Sequence, residues 1–258
     1  MINPDASNAS RPIALVTGGA RRVGAVISRR LAEVGYAVVV HANGSFDEAH
    51  ALAADIEAQG GTAKALAADL SKPAGRDHLI ANASEVFGPL SLLVNNAAIF
   101  HSDTLMDFSE DSFEAHMAIN LLAPIKLARE FALLAAKEQN PSIVNIIDHR
   151  VLKLTPQHFT YTLSKAALNI ATVTMAQALA PRIRVNAVGP GPTLPNPHDG
   201  EAGLRQEALG VPLERAVDPR DIADAVLYLA GARAVTGELI AVDSGQHIGW
   251  QTPDIIVR

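Results

Sequence analysis

Three groups of residues in this chain have the types and spacing to do chemistry. The first is Val16-Thr-Gly-Gly-Ala-Arg-Arg-Val-Gly24, which follows a β-branched apolar run and opens a helical pattern. Glycines there let the backbone approach a pyrophosphate, and a helix N-terminus offers unpaired N–H groups and partial positive charge. Gly18, Arg21, Arg22, Val23 and Gly24 are the residues such a phosphate would meet; a plain tight turn is the ligand-free alternative. The second group, His41-Ala-Asn-Gly-Ser45, ends the second strand about 20 residues further on, where an acidic residue would bind ribose hydroxyls. No carboxylate stands there. With Arg21 close by, His41, Asn43 and Ser45 therefore favour a 2′-phosphate, and so NADP over NAD. Ser45 to Glu48, S-F-D-E, also fits a capping box, and the two roles are compatible. The third group is Tyr161-Thr-Leu-Ser-Lys165. A spacing of four puts phenol and ammonium on one helix face, where the cation would bring a pKa near 10 toward neutrality and make the tyrosine a proton donor or acceptor. The same spacing also describes an ordinary solvated helix face.

These groups need a scaffold, and the patterning supplies one. Short apolar runs at Ile13–Val16, Ala37–His41, Ala63–Ala67, Leu90–Asn95, Ile143–Ile147, Arg184–Val188 and Leu239–Val242 predict strands. They alternate with helical patterns over Val23–Val34, Phe46–Ala58, Ala74–Val86, Ser112–Ala136, Tyr161–Leu179 and Pro219–Ala230, the last with Asp218 as N-cap. The rhythm is that of an α/β, Rossmann-type doubly wound parallel sheet of about seven strands with helices on both faces. A chain of 258 residues fits a single domain: a flexible segment over 1–10, then a dinucleotide-binding unit over 11–258. Its proline-rich stretch Gly189–Gly200 reads as a loop across the mouth of a site, with an ordinary surface connection as the alternative, and a substrate loop extends over about 189–217.

Composition closes off other classes. With 48% apolar and 19% charged residues the chain is not disordered, and a net charge of −6 without basic runs argues against nucleic acid. Cysteine is absent, which removes disulfides and thiolate chemistry. The nine histidines show no H-E-x-x-H spacing, so no metal is expected, and no G-x-S-x-G elbow appears. No role is assigned to His149 or His158. The first ten residues do not read as a secretory signal, which makes a cytoplasmic setting the expectation. The uncharged stretch Ala166–Pro181 is too polar and short for a membrane span and reads as a helix covered by protein, in part by other subunits of a homotetramer.

Across about Arg11 to Gly249 the chain resembles the short-chain dehydrogenases/reductases. The resemblance is carried by TGGARRVG, Asp69 after the third strand, N95-N-A-A98, Asn120 in a long helix, Y161-T-L-S-K165, P190-G-P-T193 and V235-T-G-E-L-I-A-V-D243. It implies a seven-stranded doubly wound sheet, Tyr161 as acid/base, Lys165 on the nicotinamide ribose and a proton relay through Asn120. It also implies cofactor contacts at Asp69, Leu70, Asn96, Ala97, Pro190, Gly191 and Thr193.

Three departures from the common pattern narrow this further. Arg22 stands where most members have a third glycine, Asp148 replaces the catalytic serine thirteen positions before the tyrosine, and Phe100 follows N-N-A-A by two residues. Together they resemble the pteridine reductase branch, which includes dihydromonapterin and short-chain dihydrofolate reductases. That resemblance implies Arg22 on phosphate and pterin, Phe100 stacked on the pterin, and an Asp148–Tyr161–Lys165 proton set. Bland readings are core packing for Phe100, phosphate pairing alone for Arg22 and a turn cap for Asp148. The expectation is an NADPH-dependent pterin reductase. The alternatives are a short-chain carbonyl reductase and a non-catalytic NADP-binding sensor, and retention of both Tyr161 and Lys165 argues against the sensor.

Overall fold

A computed structural model describes residues 11–136, 140–195 and 200–250, so the 1–10 segment lies outside the described residues. Strands β1 (Ile13–Val16), β2 (Ala37–Ala42), β3 (Thr62–Ala67), β4 (Leu92–Asn95), β5 (Ser142–Ile146), β6 (Arg184–Pro190) and β7 (Leu239–Val242) form one sheet. Every pairing is parallel and the order is β3-β2-β1-β4-β5-β6-β7. The helices are α1 (Arg22–Glu33), α2 (Phe46–Ala58), α3 (Pro73–Phe87), α4 (Glu110–His116), α5 (Ala123–Leu134), α6 (Phe159–Leu179), α7 (Gly200–Leu209) and α8 (Pro219–Gly231). The chain runs outward from β1 to β3 and then lays β4 on the other side of β1. That reversal opens a crevice at the strands' C-terminal ends, the usual ligand site of doubly wound sheets.

Sheet residues alternate between two cores, as a side-chain period of two requires. Val16, Val38, Val40 and Val144 pack with Ile27, Leu31, Leu52 and Val226 from α1, α2 and α8. Leu15, Val39, Leu93 and Ile143 pack on the opposite face with Leu79, Leu127, Phe131 and Ala176 from α3, α5 and α6. Both faces are thus covered, which is why Val38-Val39-Val40 is continuously apolar. No helix among the described residues is long and apolar enough to cross a membrane.

Two expectations are corrected. The single helix expected over 112–136 is three pieces: Ser109 accepts the Ser112 N–H and starts α4 early, a π turn spans Met117–Leu122, and α5 follows with Pro124 in its first turn. Pro124 has no N–H for the carbonyl of Asn120, and the helix widens just before it. The segment 189–217 is not loop alone, for it carries α7, a helix whose buried residue among those described is Ala208 and which so has almost no apolar periodicity to read. The Asp218 cap on α8 forms as expected, accepting the Arg220 N–H at 2.8 Å.

Candidate active site

A cleft of ≈670 Å3 opens along the C-terminal ends of the strands. The loop after β1 brings Gly18, Arg21, Arg22, Val23 and Gly24 to its wall; β2 and the turn after it bring His41, Asn43 and Ser45; the chain after β3 brings Asp69 and Leu70. From beyond β4 come Asn96, Ala97 and Phe100, from beyond β5 Asp148, from α6 Tyr161 and Lys165, and from β6 onward Pro190, Gly191 and Thr193. Of the expected site residues, Asn120 stands outside the wall. It is fully buried, its Oδ1 accepts the Ile99 N–H at 2.9 Å, and its Nδ2 donates to the Ile99 carbonyl at 3.0 Å and Ser164 Oγ at 3.1 Å. Both N–H groups of that side chain are thus occupied by the fold.

The glycine loop is held from below. Gly18 takes φ +59°, and a Cβ there would stand 3.0 Å from the Ala97 Cα; one on Gly24 would stand 2.1 Å from the Gly18 carbonyl oxygen. Asn96 Nδ2 donates to the Thr17 and Gly18 carbonyls at 2.9 and 3.0 Å, tying β4 to the loop. His41 is buried beneath it: Nδ1 accepts the Gly18 N–H at 3.1 Å, which puts the ring hydrogen on Nε2, facing the Ala68 carbonyl at 3.1 Å. Burial lowers its pKa to about 4, against a smaller opposing effect of the Ala68 bond, so His41 is a neutral clamp. Arg22 adopts φ +53°, where a side chain costs about 1–2 kcal/mol relative to glycine. Its guanidinium crosses to the Pro195 and Leu194 carbonyls at 3.0 and 3.4 Å and fixes the segment after β6. Asp69 accepts the Ser71 hydroxyl and N–H at 2.6 and 2.9 Å, which holds its carboxyl below the usual range.

The capping box expected from Ser45 to Glu48 does not form. The Ser45 side chain makes no cap bond, and Glu48 instead pairs with Arg21 at 3.5 Å. Ser45 and Arg21 therefore flank the same stretch of cleft, one with an uncommitted hydroxyl and the other with an exposed guanidinium.

At the other end, the Tyr161 hydroxyl donates to Asp148 Oδ2 at 3.0 Å, and Lys165 Nζ donates to the Ile146 carbonyl at 2.8 Å. Asp148 also accepts the Arg150 N–H at 2.8 Å and caps the short 3₁₀ turn over His149–Val151, so the turn-cap reading and the tyrosine contact hold together. The effect on Tyr161 is opposite to the shift expected from Lys165. Burial, then the charge of Asp148 and its hydrogen bond, push the phenol well above its ordinary value, with Arg150 opposing. Lys165 lies 5.8 Å from the Tyr161 ring centroid, and burial lowers its own pKa to about 8 against the pull of Asp148. Phe100 meets Tyr161 edge-on at 4.7 Å and 88°, stacks on His158 at 4.3 Å and 31°, and stays 38% exposed.

Arg150 and the clamping role of His41 escaped the sequence reading. Arg150 Nη1 stands 3.4 Å from both Asp148 oxygens and its Cζ 5.7 Å from the Phe100 centroid. Its place two residues past Asp148 was the only signal available. For His41 there was none, because a histidine ending a strand looks alike whether it faces ligand or loop.

Comparison with known proteins places the chain in a family. The family model described as enoyl-(acyl carrier protein) reductase matches residues 18–247. The crystal structure of FolM alternative dihydrofolate reductase 1 from Brucella canis, complexed with NADP, is similar with TM-score 0.92 and 44% identity, covering 96% of this chain and 98% of that one. A short-chain dehydrogenase/reductase from Serratia marcescens matches with TM-score 0.85 and 30% identity, over 92% and 98%. The 3-oxoacyl-(acyl-carrier-protein) reductase FabG of Staphylococcus epidermidis is 32% identical over 240 residues, 91% of this chain and 98% of that one. A match over nearly the whole chain, on the same fold, makes this protein a member of the short-chain dehydrogenase/reductase family of oxidoreductases.

Proposed function

We propose that the protein is an NADPH-dependent reductase of a pterin or dihydropterin. The observation that carries this reading is the Tyr161–Asp148 hydrogen bond, with Phe100 set edge-on against the tyrosine in the same cleft. The residues present fit the dinucleotide: a glycine cradle too tight for any Cβ, no carboxylate at the end of β2, and Arg21 with Ser45 beside it. Gly18 to Gly24 would hold the pyrophosphate, Arg21, Asn43 and Ser45 the 2′-phosphate, Lys165 the nicotinamide ribose and Thr193 the carboxamide. NADPH bound there supplies the hydride. A proton given up at the Tyr161 oxygen leaves a tyrosinate beside Asp148. A proton reaching that carboxyl from solvent then passes along the 3.0 Å bond and restores the phenol. A carboxylate in this position offers a ketone oxygen no donor, whereas a ring rich in N–H groups can meet it. The open part of Phe100 gives a flat bicycle a stacking surface, and Arg22 reaches its polar edge.

The Brucella dihydrofolate reductase supports this reading, while the Staphylococcus 3-oxoacyl reductase supports a carbonyl reductase as the second one. Initial rates of NADPH oxidation with dihydrobiopterin, dihydromonapterin and dihydrofolate against a panel of ketones decide between them. Asp148→Ser is expected to lower pterin turnover without a comparable loss on a small ketone. Phe100→Ala is expected to raise the pterin KM by a stacking loss of about 0.5–1.5 kcal/mol. Efficient ketone reduction with no pterin activity would assign the second reading. A homotetramer in the cytoplasm completes the proposal.

A further inference from the structure

Between α4 with its π turn and the start of α6 run two polar rungs. His116 Nδ1 meets Thr160 Oγ1 at 2.8 Å, and Asn120 Nδ2 donates to Ser164 Oγ at 3.1 Å. Residues four apart on one helix thus meet residues four apart on the other. Each rung also grips the segment after β4. His116 Nε2 accepts the His101 N–H at 3.2 Å, and Asn120 binds both the N–H and the carbonyl of Ile99. Phe100 lies between the two pinned residues, and Tyr161 directly follows Thr160. Asp103 adds a third tie: its carboxylate accepts the Thr160 N–H at 3.0 Å and the Thr160 hydroxyl, and its carbonyl accepts the Phe159 N–H at 3.2 Å.

The bonds have one direction. The His101 amide can only donate, so Nε2 of His116 accepts and Nδ1 carries the hydrogen. That hydrogen goes to Thr160, whose own hydroxyl hydrogen goes to Asp103. Only a neutral His116 in this single tautomer satisfies both partners. His116, Asn120, Thr160 and Ser164 are fully buried, so a missing partner there is not replaced by solvent. Burial, aided by His101 and Lys165 and opposed by Asp103, holds His116 below the ordinary imidazole pKa and so keeps that neutral form.

We propose that His116 is a positioning residue that fixes Phe100 against Tyr161 and thereby sets substrate affinity, acting through the His101 amide and the Thr160 hydroxyl. The inference rests on Phe100 being a wall of the substrate site. A residue that merely fills the core would change stability or turnover in general; a positioning residue changes the substrate KM alone.

The test compares His116→Ala with His116→Gln, whose amide oxygen can still accept from His101. Amide hydrogen exchange at Phe100 and His101 is expected to rise about tenfold or more in His116→Ala and to stay near wild type in His116→Gln, one buried acceptor having been lost in the first and kept in the second. The substrate KM is expected to rise about five- to tenfold in His116→Ala, with kcat and NADPH affinity within about twofold of wild type, and to return most of the way in His116→Gln. Should His116→Ala not fold, Thr160→Val against Thr160→Ser makes the same comparison at the other end of the bond. Unchanged exchange, an unchanged KM, or a fall in kcat and NADPH affinity together would overturn the proposal. If the wild type reduces ketones and not pterins, the pterin reading fails by itself, and the same KM ratios measured on the ketone score the role of His116.

Discussion

Arg21 is the residue on which the proposed cofactor choice turns. Its partner Glu48 holds it at 3.5 Å in an exposed pair, and pairs of this kind contribute about 0–1 kcal/mol. A 2′-phosphate would displace Glu48 at small cost. Arg21→Ala is therefore expected to weaken NADPH by about 1.5–3 kcal/mol and NADH far less, and Glu48→Ala to tighten NADPH by up to about fivefold, both read by fluorescence titration. Equal affinities for the two cofactors in the wild type would contradict this. Tyr161 makes a separate claim. Burial and Asp148 keep the phenol protonated well past neutrality, so it stands ready as a donor. Tyr161→Phe is expected to cut turnover by about 10²–10⁴ while leaving NADPH binding intact, and full activity would misplace the site. Tyr161 and Lys165 could be read from the sequence because their spacing is local, whereas Asp148 is legible only through the family resemblance. The S-F-D-E pattern assigns Glu48 to a cap, because only the folded chain shows Arg21 reaching it from another β–α unit.

The glycine loop behaves as one element because His41 pins it. His41 has a folded pKa of about 4 against an ordinary 6.5, so the unfolded chain binds more protons between those values. Its contribution is complete above about pH 6.5 and is lost as pH falls toward 4, at up to about 1.4 kcal/mol per pH unit. His41→Asn should therefore be less stable than wild type at pH 7 in urea unfolding, with the gap closing by pH 4; a gap that stays constant would show that the ring does not titrate in this way. Strands were the most legible elements, since a strand covered on both faces must be a continuous apolar run. The long helix was legible in extent but not in its break, because a π turn changes the hydrogen bonding without changing the hydrophobic pattern over so few residues. α7 was illegible because it lies on the surface with one buried residue.

At the scale of the whole molecule, α5 and α6 leave a group of large apolar side chains exposed among the described residues. Leu163, Ile170 and Val173 project from α6, with Ile170 67% exposed, and Ile125 and Leu133 project from the adjacent α5. The opposite face of α6 carries Tyr161, Lys165 and Leu168 into the protein. Exposed apolar stripes of this kind mark interfaces. Sedimentation is expected to give a mass near four times the 27.1 kDa chain, and Ile170→Asp to shift it downward; a wild-type monomer at micromolar concentration would remove the tetramer. The seam where β1 meets β4 has a different consequence, one of timing. Ile13 finds Ser91, just before β4 and 78 residues along the chain, and the Thr17 hydroxyl accepts the amides of Asn96 and Ala97 just after that strand. During synthesis β1 therefore waits with one edge unpaired until β4 leaves the ribosome. Non-local parallel pairing of this kind forms slowly, and it is in that interval that the nascent chain is most exposed to aggregation.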